Sequence, residues 1–413
     1  MDADVIVIGA GAAGMLAAGK AAERGLRVVL LERNERPGRK VMITGKGRCN
    51  VTNACSRETL ISAVKSNGKF LYSAFSTFSP EDVMAFFERL QVPLKVERGN
   101  RVFPKSDRAA DIVDALFRFA KDAGARFQTG RAESLLLEEG DVKGVRLCDG
   151  TEYTSRAAIL CTGGLSYPKT GSTGDGYRLA KQAGHRIVDP APSLVPLVAH
   201  EYWVPRLQGL SLKNVKVTVT DREKGKTLFE EQGEMLFTHF GLSGPLILSA
   251  SAHIKDFSNR RIQIKIDLKP ALSFEQLDAR LQRDFKEYQN KDFANSLDKL
   301  LPRKLIPVIV ELSGIGGSTK VNQITKEQRR SLASLLKGLA VTAVAYRPIE
   351  EAIVTAGGVA VSEVSPKTME SKLCRGLYFA GEVLDVDAYT GGFNLQIAFS
   401  TGFLAGRSVL SEG

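Results

Sequence analysis

Three glycines and one glutamate near the start of the chain have the types and the spacing that bind a dinucleotide. Gly9, Gly11 and Gly14 form the pattern G-x-G-x-x-G, and Glu32 follows at about the distance that dinucleotide-binding sites use. The first glycine permits a tight turn, the second lets a pyrophosphate approach the backbone, and the third lets a helix pack closely on a strand. A carboxylate at Glu32 accepts hydrogen bonds from ribose hydroxyls and repels a 2′-phosphate. The set therefore predicts a site for FAD or NAD rather than NADP.

The residues around this set predict the β-α-β unit that would hold it. Residues 5–8 are a short apolar run, which favours a strand buried on both faces of a parallel sheet. An alanine-rich helix is expected from residue 12 to about residue 24, with its free N–H groups and the positive end of its dipole facing the phosphates. A second apolar run, residues 28–31, ends at Glu32. Because the glycines lie between a strand and a helix, a cofactor site is favoured over a glycine turn that binds nothing.

The length and composition indicate a soluble, globular protein with more than one domain. At 413 residues, with 43% hydrophobic and 25% charged residues, the chain is too long for one ordinary core. Its apolar stretches are short and interrupted by charge, and its N-terminus runs into a strand without the layout of a signal peptide. We therefore expect a cytoplasmic protein that does not bind a membrane.

Basic residues outnumber acidic ones, 57 to 46, which gives a formal charge of +11. A solvated basic surface is the simplest interpretation, and attraction of an anionic small-molecule substrate is the functional one. No nucleic-acid-binding module and no interleaving of aromatic and basic residues is recognisable, so no nucleic-acid partner is expected. The five cysteines include no C-x-x-C, and no cluster of histidine, cysteine and aspartate has the spacing of a metal site. Neither a disulfide framework nor a metal is expected.

Changes of pattern along the chain predict three regions. Apolar strands and glycine turns occur near both ends of the chain, which favours one domain built from both ends. Prolines near residue 190 mark a boundary, after which runs such as 215–219 and 261–266 alternate with period two and predict strands. The predicted regions are a nucleotide-binding domain (1–190 and 350–413), a small β domain (191–270 and 338–349) and a helical insert (271–337).

Three local predictions concern single elements. A helix is expected to begin near Ser106 or Asp107 and to end at Gly124. Short strands between residues 125 and 154 are expected to form an antiparallel meander. Ser243 is expected to cap the N-terminus of a helix.

A second glycine-containing segment, near the C-terminus, decides between FAD and NAD. Residues 377–380 predict a short buried strand followed by Gly381 and Glu382, and a glycine pair then opens a helix at Asn394 and Leu395. Glu382 is suited to bind ribityl hydroxyls. The helix amides are suited to face the N1/O2 edge of a flavin, where negative charge grows on reduction. An NAD dehydrogenase has no use for this second segment, so the cofactor is predicted to be FAD.

Two further segments are expected to complete the cofactor site. Residues 36–53 are rich in glycine, lysine and arginine, which suits backbone and cationic contacts to a pyrophosphate. A strand that ends in Thr162 and Gly163 brings backbone close to the cofactor. The predicted cofactor-binding residues are Gly9, Gly11, Ala12, Ala13, Gly14, Glu32, Arg33, Arg39, Lys40, Gly45, Gly47, Arg48, Asn50, Ala132, Thr162, Gly163, Gly381, Glu382, Asp385, Gly392, Asn394 and Leu395.

Motifs along nearly the whole chain resemble those of the bacterial YhiN/BaiN-like flavoprotein family. They are GAGAAG, PGRK with ITGKGRCNVTN, CTGG with GSTGDG, LFTHFGLSGP and GEVLDVDAYTGGFNLQ, in the family's order. The resemblance implies an α/β fold, in which a Rossmann-like FAD-binding domain is interrupted by a small β-barrel that itself carries a helical insert. One departure is Lys46, where relatives often carry glycine. Known members include an aminoacetone oxidase and a bile-acid Δ4,6-reductase, so the resemblance leaves the substrate open.

Three functions follow as alternatives. The first is NAD(P)H-linked reduction of a C=C bond conjugated to a carbonyl, for example in a 3-oxo bile acid or a steroid-like enone. The second is oxidation of an amine with oxygen, and the third is a flavin-bound protein without turnover. Analogy with the family favours the reductase. No second dinucleotide fingerprint follows a strand, so NADH or NADPH is expected to bind only transiently, as a reductant.

Candidate catalytic groups are few. Tyr389 lies beside the glycine pair and His239 lies in the LFTH turn, and each could donate a proton to the substrate or be purely structural. Cys49 and Cys55 are separated by five residues, whereas flavin disulfide reductases use C-x₄-C. These two cysteines are therefore predicted to be unrelated thiols rather than a redox pair.

Overall fold

The computed structural model describes residues 2–254, 257–258 and 262–411. The chain folds into two compact units. The first combines the chain up to Ser193 with the chain from Pro348 onward, and the second is Leu194–Arg347. The second unit is therefore inserted in the first along the sequence.

The helices and strands are as follows. The helices are α1 (Ala12–Ala22), α2 (Arg39–Ile43), α3 (Arg57–Ser62), α4 (Tyr72–Thr77), α5 (Pro80–Arg89), α6 (Ala109–Asp122), α7 (Asp175–Gln182), α8 (Pro245–Ser251), α9 (Phe274–Glu287), α10 (Ile306–Ser313), α11 (Lys326–Lys337) and α12 (Phe393–Ser408). The strands are β1 (Val5–Ile8), β2 (Val28–Glu32), β3 (Thr52–Asn53), β4 (Leu94–Glu97), β5 (Arg101–Pro104), β6 (Arg126–Thr129), β7 (Ala132–Glu138), β8 (Asp141–Leu147), β9 (Glu152–Thr154), β10 (Ala157–Leu160), β11 (Ile187–Ser193), β12 (Leu197–Ala199), β13 (Ser211–Asp221), β14 (Lys226–Phe237), β15 (Gly241–Ser243), β16 (Ile262–Asp267), β17 (Leu339–Tyr346), β18 (Val354–Val359) and β19 (Leu377–Phe379).

A parallel sheet of five strands forms the centre of the first unit, in the order β19-β10-β1-β2-β6. β1 pairs in parallel with both β2 and β10. Every residue of β1, β2 and β10 is buried, and all but the glutamate that ends β2 are valine, isoleucine, leucine or alanine. This is the composition of strands that are covered on both faces. The predicted α/β class with a Rossmann-type domain is confirmed.

The predicted antiparallel meander is wrong in its first strand. β6 pairs in parallel with β2 at the edge of the central sheet, while β7, β8 and β9 form a separate antiparallel sheet. β6 comes after α6, and a crossover through a helix returns the chain in the direction that a parallel strand requires. The predicted start of α6 at Ser106 or Asp107 is also wrong. The helix begins at Ala109, because Asp107 has a φ of 56°, in the left-handed region.

Helices α1 and α12 pack backbone to backbone through small residues. A Cβ atom at Gly402 would lie 2.4 Å from the carbonyl oxygen of Ala13, and one at Gly406 would lie 2.3 Å from that of Ala17. No side chain fits at such distances. The contact ties the helix that follows the glycine turn to the last helix of the chain.

Six strands of the second unit close into a barrel, in the order β12-β15-β14-β13-β16-β17. Val217, Ile264 and Val341 are among the residues of its core, at most 1% exposed. Along the sequence, α9, α10 and α11 fall between β16 and β17. The barrel that the family resemblance implies is confirmed.

Two predictions about this unit concern Ser243 and the strand 261–266. Ser243 does not cap α8, because it belongs to β15 and pairs with Leu236 of β14, and the N-cap is Gly244. Arg261, the first residue of the predicted strand 261–266, lies outside the described residues. Across the described ranges, every helix is too short or too polar to serve as a membrane span.

Candidate functional site

The carboxyl ends of the central parallel strands carry the predicted cofactor residues. Gly9 follows β1, Glu32 ends β2, Thr162 comes shortly after β10 and Gly381 comes shortly after β19. Ala132 opens β7, shortly after β6. Parallel strands place these ends at one edge of the sheet, where α/β proteins bind their ligands. The fold thus brings distant segments of the chain together at one edge.

The three glycines of the first turn differ in whether the surrounding protein leaves room for a side chain. Gly9 has a φ of +102°, and its Cβ would lie 2.6 Å from the carbonyl oxygen of Cys161. A Cβ at Gly14 would lie 1.8 Å from the carbonyl oxygen of Gly9. Gly11, in contrast, has a φ of −83°, and its Cβ would meet no atom within 4 Å. The protein itself requires glycine at the first and third positions, whereas the second faces open space of the kind that a pyrophosphate would fill.

Glu32 is buried at the end of β2 and is oriented by hydrogen bonds to both carboxylate oxygens. One oxygen accepts the N–H of Ala10 at 2.8 Å, which ties the carboxylate to the glycine turn. The other accepts the backbone N–H and the side-chain amide of Asn34 at 2.9 and 2.7 Å. A carboxylate oxygen can accept more than one donor. Glu32 therefore retains the capacity that the predicted ribose contact requires.

We expect Glu32→Ala to weaken FAD binding and Glu32→Gln to weaken it less. Alanine removes the predicted contacts to two ribose hydroxyls, each worth about 1.5–3 kcal/mol at most, and leaves the Ala10 N–H without its acceptor. Glutamine keeps one acceptor oxygen. Fluorescence titration of the apoproteins with FAD gives the order of dissociation constants. An alanine variant that keeps all its flavin through dialysis would contradict the role of Glu32.

Lys40 and Glu382, predicted to bind different parts of the cofactor, bind each other. The Lys40 ammonium lies 2.6 Å from one carboxylate oxygen of Glu382 and 2.6 Å from the hydroxyl of Ser166. The other oxygen of Glu382 accepts the Ser166 hydroxyl at 3.0 Å and the N–H of Thr355 at 2.9 Å. Sequence reasoning missed Ser166 and Thr355, because neither belongs to a recognisable spacing. This network fixes the turn after β19 to the loop after β10 and to α2.

Two further cations between β2 and β3, Arg39 and Arg48, are also bound to protein groups. Arg39 donates to the side-chain oxygen of Asn34 at 2.9 Å. Arg48 pairs with Glu97 and with Asp107, and its guanidinium lies 4.1 Å from the ring centroid of Phe103. These pairs hold the loop. They leave its backbone, with Gly45 at a φ of 57° and Gly47 at 84°, as the part that a phosphate would approach.

The N-terminus of α12 is open to a ligand. Gly391 and Gly392 have φ values of 124° and 100°, and no side chain caps the helix. The side chain of Asn394 is used elsewhere: it accepts the N–H of Ala388 at 3.0 Å and donates to the carbonyl oxygens of Ala388 and Tyr389 at 2.8 and 3.2 Å. The backbone N–H groups of the first turn, including that of Leu395, have no acceptor within the helix. Their direction and the helix dipole suit an anionic ligand edge.

Buried polar atoms without a partner supply a second test of whether a polar cofactor fits. Within the described residues, Asn50 Oδ1, Thr162 Oγ1, Tyr177 OH and Asp387 Oδ1 are buried and make no hydrogen bond. All four belong to the first unit. Buried polar atoms are normally paired, so this unit has spare hydrogen-bonding capacity of the kind that a dinucleotide uses. Asn50 and Thr162 were predicted from the sequence, whereas Tyr177 and Asp387 were missed because a single tyrosine or aspartate carries no signal.

Two more predicted residues, Arg33 and Asp385, lie at the same edge, and their side chains are bound to other protein groups. Arg33 donates to the hydroxyl of Thr173 at 2.6 Å and pairs with Asp175 at 3.3 Å. Asp385 accepts the side-chain amide of Asn67 at 3.0 Å, and burial raises the pKa of its carboxyl group. Both side chains therefore connect loops of the first unit through hydrogen bonds or ion pairs.

The two candidate proton donors lie in different units. Tyr389 is half-buried in the first unit, where its N–H donates to the carbonyl oxygen of Ala63 at 3.1 Å. His239 is exposed between β14 and β15 of the second unit, with its ring 5.0 Å from that of Phe240. Tyr389 therefore shares a unit with the predicted cofactor residues, and His239 does not.

Cys49 and Cys55 are both buried free thiols. Burial raises the pKa of Cys49 to about 12 and also raises that of Cys55. Thiol–disulfide chemistry needs the thiolate, so both are poorly suited to it.

We expect Cys55→Ser to keep any NADH-dependent activity of the wild type within a few-fold, because a buried thiol with a raised pKa is poorly suited to thiol–disulfide chemistry. Steady-state rates of the two proteins check this. A complete loss of activity, together with two new thiols on two-electron reduction of the wild type, would contradict it.

Comparisons with known proteins cover the whole chain. Residues 3–408 match the family described as HI0933-like protein Rossmann domain. The chain is 31% identical over 408 residues to the 3-dehydro-bile acid Δ(4,6)-reductase of Clostridium scindens, covering 97% of this chain and 98% of the relative. It is also 31% identical over 410 residues to the ribosomal RNA dihydrouridine synthase of Escherichia coli, covering 99% of this chain and 98% of the relative.

A solved structure shows the same fold at low identity. The 3-ketosteroid Δ1-dehydrogenase of Sterolibacterium denitrificans, in complex with 1,4-androstadiene-3,17-dione, has a TM-score of 0.50 and 14% identity, covering 98% of this chain and 99% of the other. The family match and the full-length relatives agree with the glycine turn and the strand ends described above. The chain belongs to the HI0933-like family and is an FAD-dependent oxidoreductase.

Proposed function

We propose that the protein reduces a carbon–carbon double bond conjugated to a carbonyl in an anionic small molecule, with NADH or NADPH as a transient reductant. The observation that supports this most is the chemistry that the two full-length relatives described above share by name. One is a reductase of a Δ(4,6) bile acid with a 3-dehydro group. The other makes dihydrouridine, which is uridine with the double bond next to its C4 carbonyl saturated. Both names denote reduction of a conjugated carbonyl system.

The residues of the first unit have separate roles in this proposal. FAD, when bound, supplies the two-electron chemistry that amino-acid side chains lack. Gly11 and Glu32 would hold its adenosine half, and the Lys40–Glu382 network would position its ribityl chain. The open N-terminus of α12 stabilises negative charge placed against it.

Tyr389 is the proposed proton donor. Reduction of a conjugated double bond leaves an enolate that must take up a proton. The backbone of Tyr389 is held by Ala63 and by the side chain of Asn394 at the start of α12. These contacts hold the backbone of the loop that carries the Tyr389 phenol, so Tyr389 is the first choice of donor. His239 is exposed and is the second choice.

A second candidate substrate is a uracil base of ribosomal RNA. The relative from Escherichia coli favours it, because it matches 99% of this chain. The second unit carries 24 lysines and arginines against 16 aspartates and glutamates. An excess of positive charge of this kind attracts polyanions. The reaction would be the same reduction of a conjugated double bond, with a base of RNA as the substrate instead of a small molecule.

Anaerobic stopped-flow mixing tests the proposal against the amine oxidase. The holoenzyme is mixed with NADH, with NADPH and with a panel of amines, and the flavin absorbance is followed. We expect bleaching by a nicotinamide and none by the amines. Fast bleaching by an amine, with neither nicotinamide reacting, would overturn the reductase and favour the oxidase.

A further inference from the structure

We infer that Lys46, in the loop between α2 and β3, binds the anionic group of the substrate, and that Met42 and Ile43 contact the substrate's apolar body. This inference rests on the proposed function and narrows its substrate to an amphipathic anion. It assigns a specificity-determining role to the side chains of Met42, Ile43 and Lys46, none of which is among the predicted cofactor-binding residues.

The first observation is that the four cations of residues 39–48 are not equivalent. Arg39 donates to a side-chain amide, Lys40 to a serine and a glutamate, and Arg48 to two carboxylates. Lys46 is exposed, and its ammonium group has no hydrogen bond or ion pair with any residue that the structure describes. The fold therefore uses three of the four cations and leaves Lys46 available to a ligand.

The second observation is that Lys46 occupies a backbone position that favours glycine. Its φ and ψ are 60° and 41°, and it lies between Gly45 and Gly47, which also have positive φ. A lysine in the left-handed region is less stable than a glycine would be. Because folding does not favour lysine here, its charge is the property left to explain it, and strained positions of this kind cluster at ligand sites.

The third observation is a pair of exposed apolar residues three and four positions before Lys46 in the sequence. Met42 is 41% exposed and Ile43 is 45% exposed, which makes both unusual among the large hydrophobic residues of the chain. The start of α2, the helix that carries Met42 and Ile43, is anchored to the first glycine turn, because the N–H of Gly38 donates to the carbonyl oxygen of Ala10 at 2.8 Å. An exposed thioether and a branched alkyl group within four residues of an exposed ammonium match a ligand with an apolar body and one anionic group.

The same residues disfavour RNA as the occupant of this loop. Single-stranded bases are recognised by stacking on aromatic rings or on arginine. Residues 42–47 are Met-Ile-Thr-Gly-Lys-Gly, with no aromatic residue and no arginine. The next residue, Arg48, is already paired with Glu97 and Asp107 and lies over the ring of Phe103. A carboxylated steroid-like enone satisfies both the apolar pair and Lys46.

The test compares 3-oxochol-4-en-24-oic acid, which is anionic, with its methyl ester, which is neutral and larger by one methyl group. Binding of each probe to the FAD-loaded protein is measured by isothermal titration calorimetry. The variant is Lys46→Gly, and Gln91→Gly is its matched control, since Gln91 is also exposed with a φ of 62°. We expect Lys46→Gly to unfold at the same or a higher temperature and to keep its flavin. Its dissociation constant for the acid should rise about two- to fivefold, as for a single exposed ion pair, while that for the ester stays unchanged. Gln91→Gly should change neither constant.

Three outcomes overturn the inference. The acid binds Lys46→Gly as tightly as the wild type, the ester is weakened as much as the acid, or the wild type binds a uridine-containing RNA oligonucleotide and not the acid. The proposed function is scored separately by NADH-dependent turnover of the wild type. Turnover of the acid with no effect of Lys46→Gly on its binding overturns the inference alone. Absence of turnover with the acid, the ester and the oligonucleotide overturns the function itself.

Discussion

Replacing Gly11 by valine is expected to leave the protein folded and to abolish stable FAD binding. A Cβ at this position meets no atom within 4 Å, and the φ of −83° suits any residue. The valine side chain would instead fill the space that a pyrophosphate needs. Losing two charge-assisted hydrogen bonds to phosphate costs about 3–6 kcal/mol, which is a hundredfold or more in affinity. Flavin content after gel filtration and the thermal unfolding temperature report the two effects separately.

Gly14→Ala is the contrasting variant for this prediction. Its Cβ would lie 1.8 Å from the carbonyl oxygen of Gly9, so it should lower the unfolding temperature as well as the flavin content. A Gly11→Val protein with a full complement of flavin would show that the turn does not hold the cofactor. One that fails to fold would show that the open space at Gly11 is misplaced.

Replacing Gly402 by valine is expected to destabilise the first unit strongly. The new Cβ would lie 2.4 Å from the carbonyl oxygen of Ala13, so α1 and α12 must move apart. Overpacking of this kind costs about 1–3 kcal/mol and occasionally more. Because α1 follows the glycine turn and α12 begins at the predicted flavin edge, flavin affinity should fall together with stability. Chemical denaturation of the apoprotein measures the first effect, and FAD titration measures the second.

Arg407→Val is the matched control for the helix contact. It places the same β-branched side chain in α12 at an exposed position, so it carries the cost in helix propensity without the clash. We expect its free energy of unfolding to stay within about 1 kcal/mol of the wild type. If Gly402→Val and Arg407→Val have equal effects, the close contact between α1 and α12 is not what stabilises the unit.

The parts of the fold that could be predicted from the sequence are those in which residue types impose the geometry locally. The turn with Gly9 and Gly14 is one example, because both the backbone angles and the close contacts exclude a side chain. The apolar run before it is another, since a short buried strand allows few residue types. The barrel followed from a resemblance and from period-two runs rather than from any single residue.

The parts that could not be predicted depend on partners far away in the chain. β6 was recognised as a strand, but its pairing with β2 depends on where α6 returns the chain. Lys40 and Glu382 are 342 residues apart, and their residue types suit a phosphate and a ribityl chain as well as they suit each other. The hydroxyl of Tyr177 can be recognised as a candidate ligand contact only in the folded structure, which shows that it is buried without a hydrogen-bond partner among the described residues.

The reaction of the reduced holoenzyme with a conjugated double bond, in the absence of oxygen and of nicotinamide, is the most direct test of the account. The enzyme is reduced photochemically and mixed with 3-oxochol-4-en-24-oic acid, or in parallel with a uridine-containing RNA oligonucleotide, and the flavin absorbance and the mass of the product are recorded. We predict that the absorbance returns with one of these substrates, with one saturated double bond formed per flavin. If the flavin stays reduced with both and its absorbance returns only when oxygen is admitted, the protein is not the reductase proposed here.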